Sequence, residues 1–339
     1  MSTKKTNTVI KDIKEKKKPT KFIVESSPHI FAPISKPKVM WILIATLLPA
    51  AIMGVYNFGL HAFYIISVAI ISAILTEAFF LKLRRKSLSP IFHGSAITTG
   101  LLLGLILPPT VPLWIPALGS FVALALAKHA FGGSGNTIFN PALVGRAFLV
   151  IAFPAIMSKY IWPANSVATD AVTSASPLSM ISAVGYDTTI SFFGSQAKTY
   201  TSLFFGNISG CIGETSALAL LIGGLILIFF KIIDWRIPFY FIGSVFFLSM
   251  LFGQDPIFHI LTGGLFIGAF FMATGYEGIP LTKTGRIIFA LGAGLIVVVI
   301  RLWGGYPEGV NYAILLMNAA SPIIERVTAV KPFGWKKSK

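Results

Sequence analysis

Apolar stretches of 16 to 22 residues, separated by short clusters of Pro, Gly and charge, recur at 39–56, 60–81, 93–108, 112–130 and 141–157. A second set follows at 214–231, 237–252, 257–274, 285–303 and 309–324. A bilayer core takes about 20 apolar residues per helical span, so the pattern predicts an all-α polytopic membrane protein with about ten transmembrane helices. Between the two sets, 158–205 breaks the pattern with a long run rich in Ser, Thr, Asp and Gly. Structureless connections beyond about 12–15 residues are uncommon and usually functional. The expected organisation is therefore a basic segment at 1–38, a first membrane unit at 39–157, the polar loop at 158–205, a second unit at 206–325 and a basic tail at 326–339.

The two units echo each other. Phe92-His93 opens one span and Phe258-His259 another; Gly132-Gly133 precedes Asn140-Pro141-Ala142-Leu143, and Gly304-Gly305 precedes Asn311-Tyr312-Ala313-Ile314. Five spans per unit put the copies in opposite orientation, as two inverted repeats, a plan whose functional sites lie at discontinuous helices near the repeat interface. The span after His93 holds only about 15 apolar residues before Pro108-Pro109, roughly 22 Å of helix against a core of about 30 Å. A broken helix is expected there.

Composition agrees with a lipid solvent: 55% of residues are hydrophobic and 12% charged, against about 45–50% and 25% in soluble domains, and the mean hydropathy is +0.78. The net charge of +16 is concentrated at the ends, with ten Lys in the first 38 residues. Those Lys have no interleaved aromatics and no recognition motif, so they read as a tail beside anionic lipid and not as a nucleic-acid surface. With the N-terminus inside, 25 of the 28 Lys and Arg fall on the inner side and only Lys159, Lys198 and Arg301 outside, the split of the positive-inside rule. Both termini are thus expected in the cytoplasm and the polar loop outside. The first apolar run begins only near Val39, so no cleavable signal peptide is evident. Cys211 is the sole cysteine, which excludes an intrachain disulfide and a CxxC site.

Gly132-Gly133-Ser134-Gly135-Asn136 lacks the later Gly of a dinucleotide fingerprint and the Lys-Ser/Thr of a P-loop. It reads as a turn before a helix opening at Asn140-Pro141. The five His have no metal-ligand spacing, and no metal is expected. Gly213-Glu214-Thr215-Ser216 begins an apolar run, where a carboxylate and hydroxyls serve either as a helix cap or as a flavin contact. Arg146, one turn into a span, reads either as functional or as a structural ion pair or a side chain snorkelling to the inner surface. Glu77, near the inner end of the second span, suits a pair with Lys82 or Arg85, or a part in ion movement.

The polar loop carries Asp170-Ala171-Val172-Thr173-Ser174-Ala175-Ser176-Pro177-Leu178. Composition alone gives a hydroxyl-rich turn region. The order of Asp170, Thr173, Ser174, Ala175 and Ser176 looks like the acceptor site of flavin transferases, which attach FMN through a phosphoester. An acceptor needs a hydroxyl, an accessible chain and small neighbours, and Ser176 is expected to supply all three. Together with Ser26-Ser27-Pro28-His29, Phe139-Asn140-Pro141-Ala142, Gly145-Arg146-Ala147-Phe148, Gly213-Glu214-Thr215-Ser216 and Gly304-Gly305-Tyr306-Pro307-Glu308-Gly309, this loop resembles the RnfD/NqrB family. That family holds the D subunits of Rnf ion-translocating ferredoxin:NAD oxidoreductases and the B subunits of sodium-pumping NADH:quinone reductases. The resemblance runs from about Glu25 to Asn318, and the Ser-Ser-Pro-His start favours the Rnf side.

The resemblance implies covalent FMN on Ser176, a second, noncovalent riboflavin in the membrane portion, electron relay coupled to Na⁺ or H⁺ movement, a bacterial inner-membrane location, other Rnf-type subunits as partners and a flavin transferase for maturation. It makes Glu214, Thr215, Arg146, Asn140 and Glu77 candidate flavin or ion contacts. Two positions depart from the family pattern. The usual acceptor is Thr after Gly-Ala, where this chain has Ser174-Ala175-Ser176 with the same oxygen. An Asp usual after Met-Ala-Thr is replaced in Met272-Ala273-Thr274-Gly275-Tyr276-Glu277. A B-type quinone reductase subunit, a flavin-free solute transporter or channel with the loop as a lid, and a cofactor-free scaffold are the competing readings.

Overall fold

Residues 35–163, 173–193, 195–276, 278–305 and 308–329 are described by the computed structural model. The helices are α1 Lys36–Phe58, α2 Leu60–Leu83, α3 Ser95–Leu105, α4 Trp114–Val122 (continued as a π-helix over Ala123–His129), α5 Pro141–Ala152 and α6 Pro154–Met157. A two-stranded antiparallel ribbon follows, β1 Tyr160–Ile161 with β2 Thr173–Ser174, pairing Tyr160 with Ser174 and Ile161 with Thr173. Then come α7 Pro177–Val184, α8 Tyr186–Phe193, α9 Gln196–Phe205, α10 Ala217–Phe229, α11 Arg236–Leu251, α12 Pro256–Leu261, α13 Leu265–Ile267 (continued as a π-helix over Gly268–Met272), α14 Lys283–Trp303 and α15 Val310–Thr328. A helical element thus falls in each of the ten apolar stretches.

Among the described residues three helices, α1, α2 and α14, are long and apolar enough to cross a membrane, and five shorter apolar helices accompany them. Their outward faces carry exposed Ile52, Ile71, Leu75, Phe79, Phe247 and Leu295, a surface that an apolar solvent accepts and water does not. With no hydrophobic drive between helices in lipid, close packing of small residues takes over. At Gly100 on α3 an added Cβ would lie 2.7 Å from the Ala69 carbonyl oxygen and 2.7 Å from the Ile70 Cα of α2, so those two backbones touch only because the position is glycine.

The expected broken helix after His93 is present, and a second lies in the other half. A 3₁₀ turn over Ser89–His93 ends at Gly94 (φ 80°), and α3 starts afresh with only 11 residues. In the second half α12, which contains Phe258-His259, ends at Thr262, and Gly263 and Gly264 (φ 66° and 65°) lead into α13. Backbone freed at such breaks must find partners at membrane depth. Arg301 of α14 donates to the carbonyls of His259, Thr262 and Gly263. At the first break, Lys128 at the end of α4 donates to Ser95 Oγ at 2.9 Å. The C-terminal carbonyls of α3 are taken by the segment before α10, with Gly213 N donating to Leu105 O and Ile212 N to Leu107 O.

The described residues of the polar segment after α6 hold more helix than its composition suggested. Three helices fill much of it, and Leu178, Leu203, Ile208 and Phe258 form a small apolar cluster beneath them. Apolar residues too sparse to register as a span still suffice to dock short helices. The dock is fastened by Asp255, which accepts from the hydroxyls of Tyr186 and Tyr200 and from the backbone N–H groups of Ile257 and Phe258 at the start of α12. Burial opposes ionisation of Asp255, but these donors outweigh it and hold the carboxyl below its ordinary range. A carboxyl whose folded value is depressed contributes stability that is present above its unfolded value, near 4, and is lost as pH falls through the lower folded value. Hydrogen-exchange protection over 177–205, corrected for the intrinsic rate at each pH, is therefore expected to be high at neutral pH and to fall below about pH 4, and Asp255→Asn should lower protection at neutral pH and flatten that pH dependence.

Candidate functional site

The side chains that sequence reasoning left in separate motifs meet around one guanidinium. Asn140 caps α5, its Oδ1 accepting from Ala142 N at 3.1 Å, with Pro141 in the first turn. One and a half turns on, Arg146 points into the protein. Its Nη1 lies 2.9 Å from Glu214 Oε1, its Nη2 3.4 Å from Cys211 Sγ, and its Nη2 also bonds Glu308 Oε2. Tyr160 of β1 donates to the other oxygen of Glu308 at 3.0 Å. The three charged side chains are 8%, 6% and 16% exposed. Charges this deep stay ionised only when paired and hydrogen-bonded.

Arg146 is therefore held in an ion pair, with partners on the segment before α10 and in front of α15. Glu214 caps nothing. The cap of α10 is Ser216, whose Oγ accepts from Ala219 N at 3.3 Å, which frees Glu214 for Arg146. Thr215 is 1% exposed and its Oγ1 has no hydrogen-bond partner. Cys211, Glu214 and Glu308 hold their donor atoms within 4.8 Å of one another, a set that suits a cation, and the Arg146 guanidinium is the cation among them.

Ser176 stands next to this cluster. Ala175 O accepts from Ser209 Oγ at 2.8 Å, which ties the strand end to the buried segment before α10. Ser176 itself caps α7, its Oγ accepting from Ser179 N at 3.3 Å and lying 2.9 Å from Ser179 Oγ. A small cavity of about 20 Å³ joins Ser176 to Glu214, Thr215 and Glu308, room for about one water. A larger cavity of about 410 Å³ lies beside it, bordered by Arg146, Tyr160, Ser179, Glu308 and Asn311. The expectation of an accessible hydroxyl is not met: Ser176 is 5% exposed, and the bond from Ser209 Oγ to the neighbouring Ala175 carbonyl holds it against the segment before α10. Thr173 and Ser174 form β2, and Asp170 lies outside the described residues, as does Glu277.

The other two candidates lie elsewhere. Glu77 pairs with neither Lys82 nor Arg85. Its Oε2 takes Lys128 Nζ at 2.8 Å and His129 Nε2 at 3.1 Å, since both come off the π-helical end of α4 packed against α2, whereas Lys82 and Arg85 are exposed. Asn140 sends its Nδ2 to Met272 O at 3.3 Å, at the end of the π-helix that continues α13. Neither borders the cavities at Ser176.

A family model described as NQR2, RnfD, RnfE family matches residues 23–334. The chain belongs to that family. Among its relatives, the D subunit of the proton-translocating ferredoxin:NAD(+) oxidoreductase complex from Clostridium ljungdahlii is 48% identical over 324 residues, 93% of this chain and 97% of that one. The D subunit of the Na(+)-translocating ferredoxin:NAD(+) oxidoreductase complex from Acetobacterium woodii is 46% identical over 318 residues, 93% and 96% of the two chains. The D subunit of the ion-translocating oxidoreductase complex from Stutzerimonas stutzeri is 37% identical over 328 residues, 88% and 92%. Family and apolar helices together make this a multi-pass membrane protein, and its match spans both helical halves and the segment around Ser176.

Sequence reasoning missed Glu308, Tyr160, Cys211 and Asn311 as parts of the site. One signal pointed to Glu308. An Arg inside a span needs a carboxylate, and with only 12 Asp and Glu in the chain those inside family motifs were few. Removing one member of a buried pair costs about 3–5 kcal/mol. Arg146→Met, which strands two carboxylates, is expected to lower the melting temperature in detergent far more than Glu308→Gln, which leaves Arg146 paired with Glu214; equal effects would argue against the three-way pair.

Proposed function

We propose that the chain is the membrane subunit of an Rnf-type ion-translocating electron-transport complex, holding FMN on Ser176 through a phosphoester and relaying electrons between redox centres of partner subunits while the complex moves Na⁺ or H⁺. The observation that carries this reading is the place of Ser176, capping α7 at the edge of cavities bordered by Arg146, Glu214, Thr215 and Glu308. The residues fit the group. A phosphoester at Ser176 puts negative charge at the positive end of α7, and a 410 Å³ cavity is within the size range of ligand sites, about 300–1,000 Å³. Bound FMN supplies transfer of one or two electrons; the chain supplies position, water exclusion and a fixed charge near the site.

Burial of Ser176 in the docked loop adds a step. The eight-residue α7 is too short to be stable alone, so the transferase is expected to act on the loop before α7 docks. The same reading takes the chain as ten spans in two inverted five-helix repeats, both termini in the cytoplasm of a bacterial inner membrane, and the Ser176 loop outside. Support for the repeat is the pair of helix breaks, each marked by Phe-His and a left-handed glycine, and each bonded by a cation from the next long helix, Lys128 in one half and Arg301 in the other. The other complex subunits and a noncovalent riboflavin complete the assembly, with no residue here assigned to the riboflavin.

Two experiments test this. The chain made together with a flavin transferase is expected to give a fluorescent band after denaturing electrophoresis, and Ser176→Ala to abolish it; a dark wild-type band leaves the flavin-free readings. Ser182→Cys, on the exposed side of α7, should react in intact cells with a membrane-impermeant maleimide, and reaction only after permeabilisation would invert the topology.

A further inference from the structure

A third cavity shares no bordering residue with the two at Ser176. It is a groove of about 490 Å³ between α11 and α14, bordered by Phe239, Gly243, Ser244, Phe247, Leu291 and Leu295. Its floor is closed where the two helices touch, since a Cβ added at Gly294 would fall 2.8 Å from Ser244 Cβ. Its mouth is open at Gly243, where among the described residues nothing lies within 4 Å of an added Cβ. Phe239 and Phe247, one turn to either side, are exposed, so the mouth is a notch between two aromatic rims. The foot of the groove is charged. Arg236 lies on the same stripe of α11, one turn before Phe239 and Tyr240. Asp234 Oδ2 takes Arg236 Nη1 at 3.2 Å and Arg286 Nη1 of α14 at 2.8 Å, and the two arginine side chains remain 27% and 31% exposed. Lys283, in the first turn of α14, is exposed as well, so three cations share one carboxylate. Arg236 also lies 5.3 Å from the centre of the Trp235 ring, an exposed aromatic of the kind that marks a membrane interface.

We propose that this groove binds one anionic phospholipid, with an acyl chain lying in the notch at Gly243 and the phosphodiester against Arg236 and Arg286. Charge complementarity selects the occupant. One carboxylate cannot neutralise two guanidiniums and a nearby ammonium, and a guanidinium fork matches the oxygens of a phosphate. Basic pockets between spans on the cytoplasmic side suit anionic headgroups for this reason. A neighbouring subunit's span fits less well. On the proposed orientation the foot lies in the inner leaflet, where such a span brings Lys and Arg of its own and would be repelled. Helix pairs in membranes also meet through small residues, whereas Phe239 and Phe247 project on either side of Gly243 and leave room for a flexible chain. The orientation names the leaflet, and the groove with its cations is the same in either.

The test uses the intact complex, extracted in detergent and stripped of lipid, with phosphatidylglycerol or phosphatidylcholine added back and bound lipid counted by native mass spectrometry. Wild-type complex is expected to retain phosphatidylglycerol in preference to phosphatidylcholine. Gly243→Leu, which fills the notch from a position with room for the side chain, should lose one bound phosphatidylglycerol. Arg236→Gln leaves the pair of Arg286 with Asp234 in place and should weaken that binding about fivefold, the effect of one cation beside an anionic headgroup. Lys86→Gln removes an exposed cation after α2, away from the groove, and should leave the binding as it was. Equal retention of the two lipids, unchanged binding in Arg236→Gln, or an equal loss in Lys86→Gln overturns the site. A crosslink from Gly243→Cys to a partner subunit in native membranes overturns it too, because a protein helix then fills the groove. Should Gly243→Leu fail to assemble, Arg236→Gln decides alone.

Discussion

A guanidinium keeps its charge at any ordinary pH, and in a helix that lives in an apolar medium that charge must be answered from within the protein. Arg146 is answered three ways, by Glu214 and Cys211 from the segment that precedes α10 and by Glu308 from the segment that precedes α15. One side chain of the first half thus holds two connections of the second half, and through Glu308 and its partner Tyr160 it also fixes β1. The ribbon β1–β2 in turn delivers Ser176 to the same place. The placement of the Ser176 hydroxyl, both cavities and the starts of α10 and α15 all follow from satisfying one buried charge.

The same rule organises the helix breaks. Stopping a helix inside a membrane frees backbone groups that lipid cannot satisfy, and at the second break a long cationic side chain from a neighbouring helix meets part of that cost. Arg301 bonds three carbonyls at the second break. Lys128 reaches the start of α3 at the first break and is itself neutralised by Glu77. These cations are structural in what they touch, which explains how charges survive in segments otherwise as apolar as α4 and α14.

The periodicity of apolar stretches located every long helix to within a few residues, because a span is a property of local composition. The short span after His93 and the cap at Asn140 and Pro141 were legible for the same reason: each is written in adjacent residues. Partnerships across the fold were not. Glu77 looked paired with Lys82 and Arg85 because they are close in sequence, but α4 brings Lys128 and His129 nearer. Glu214 looked like a cap because it opens a helix, but Ser216 takes that duty. Asn311 was visible only as one half of a repeat, and its amide, buried without a hydrogen-bond partner, is a property of packing that no motif encodes. The polar loop was underestimated because three short helices docked by a few apolar residues leave no span-like signal.

The cap at Ser176 and the proposed attachment at Ser176 are compatible in chemistry. Esterification replaces the hydroxyl hydrogen and leaves oxygen lone pairs on Oγ, so the bond accepted from Ser179 N at 3.3 Å keeps its acceptor. Ser179 Oγ also donates to Ser176 O at 2.8 Å, and that bond needs no proton from Ser176. What the ester adds is a phosphate charge at the first turn of α7, where backbone N–H groups without intrahelical partners favour an anion. A modified Ser176 therefore holds α7 at least as firmly as a free one, and the order of events has a physical direction. On the proposed reading, an undocked loop would admit the transferase, the ester would strengthen the helix start, and the docked helix would then close over the site, with Asp255 fastening the neighbouring α8 and α9 through Tyr186 and Tyr200. Serine in place of the more usual threonine changes none of these bonds, since each of them uses only the oxygen, the backbone carbonyl or Ser179.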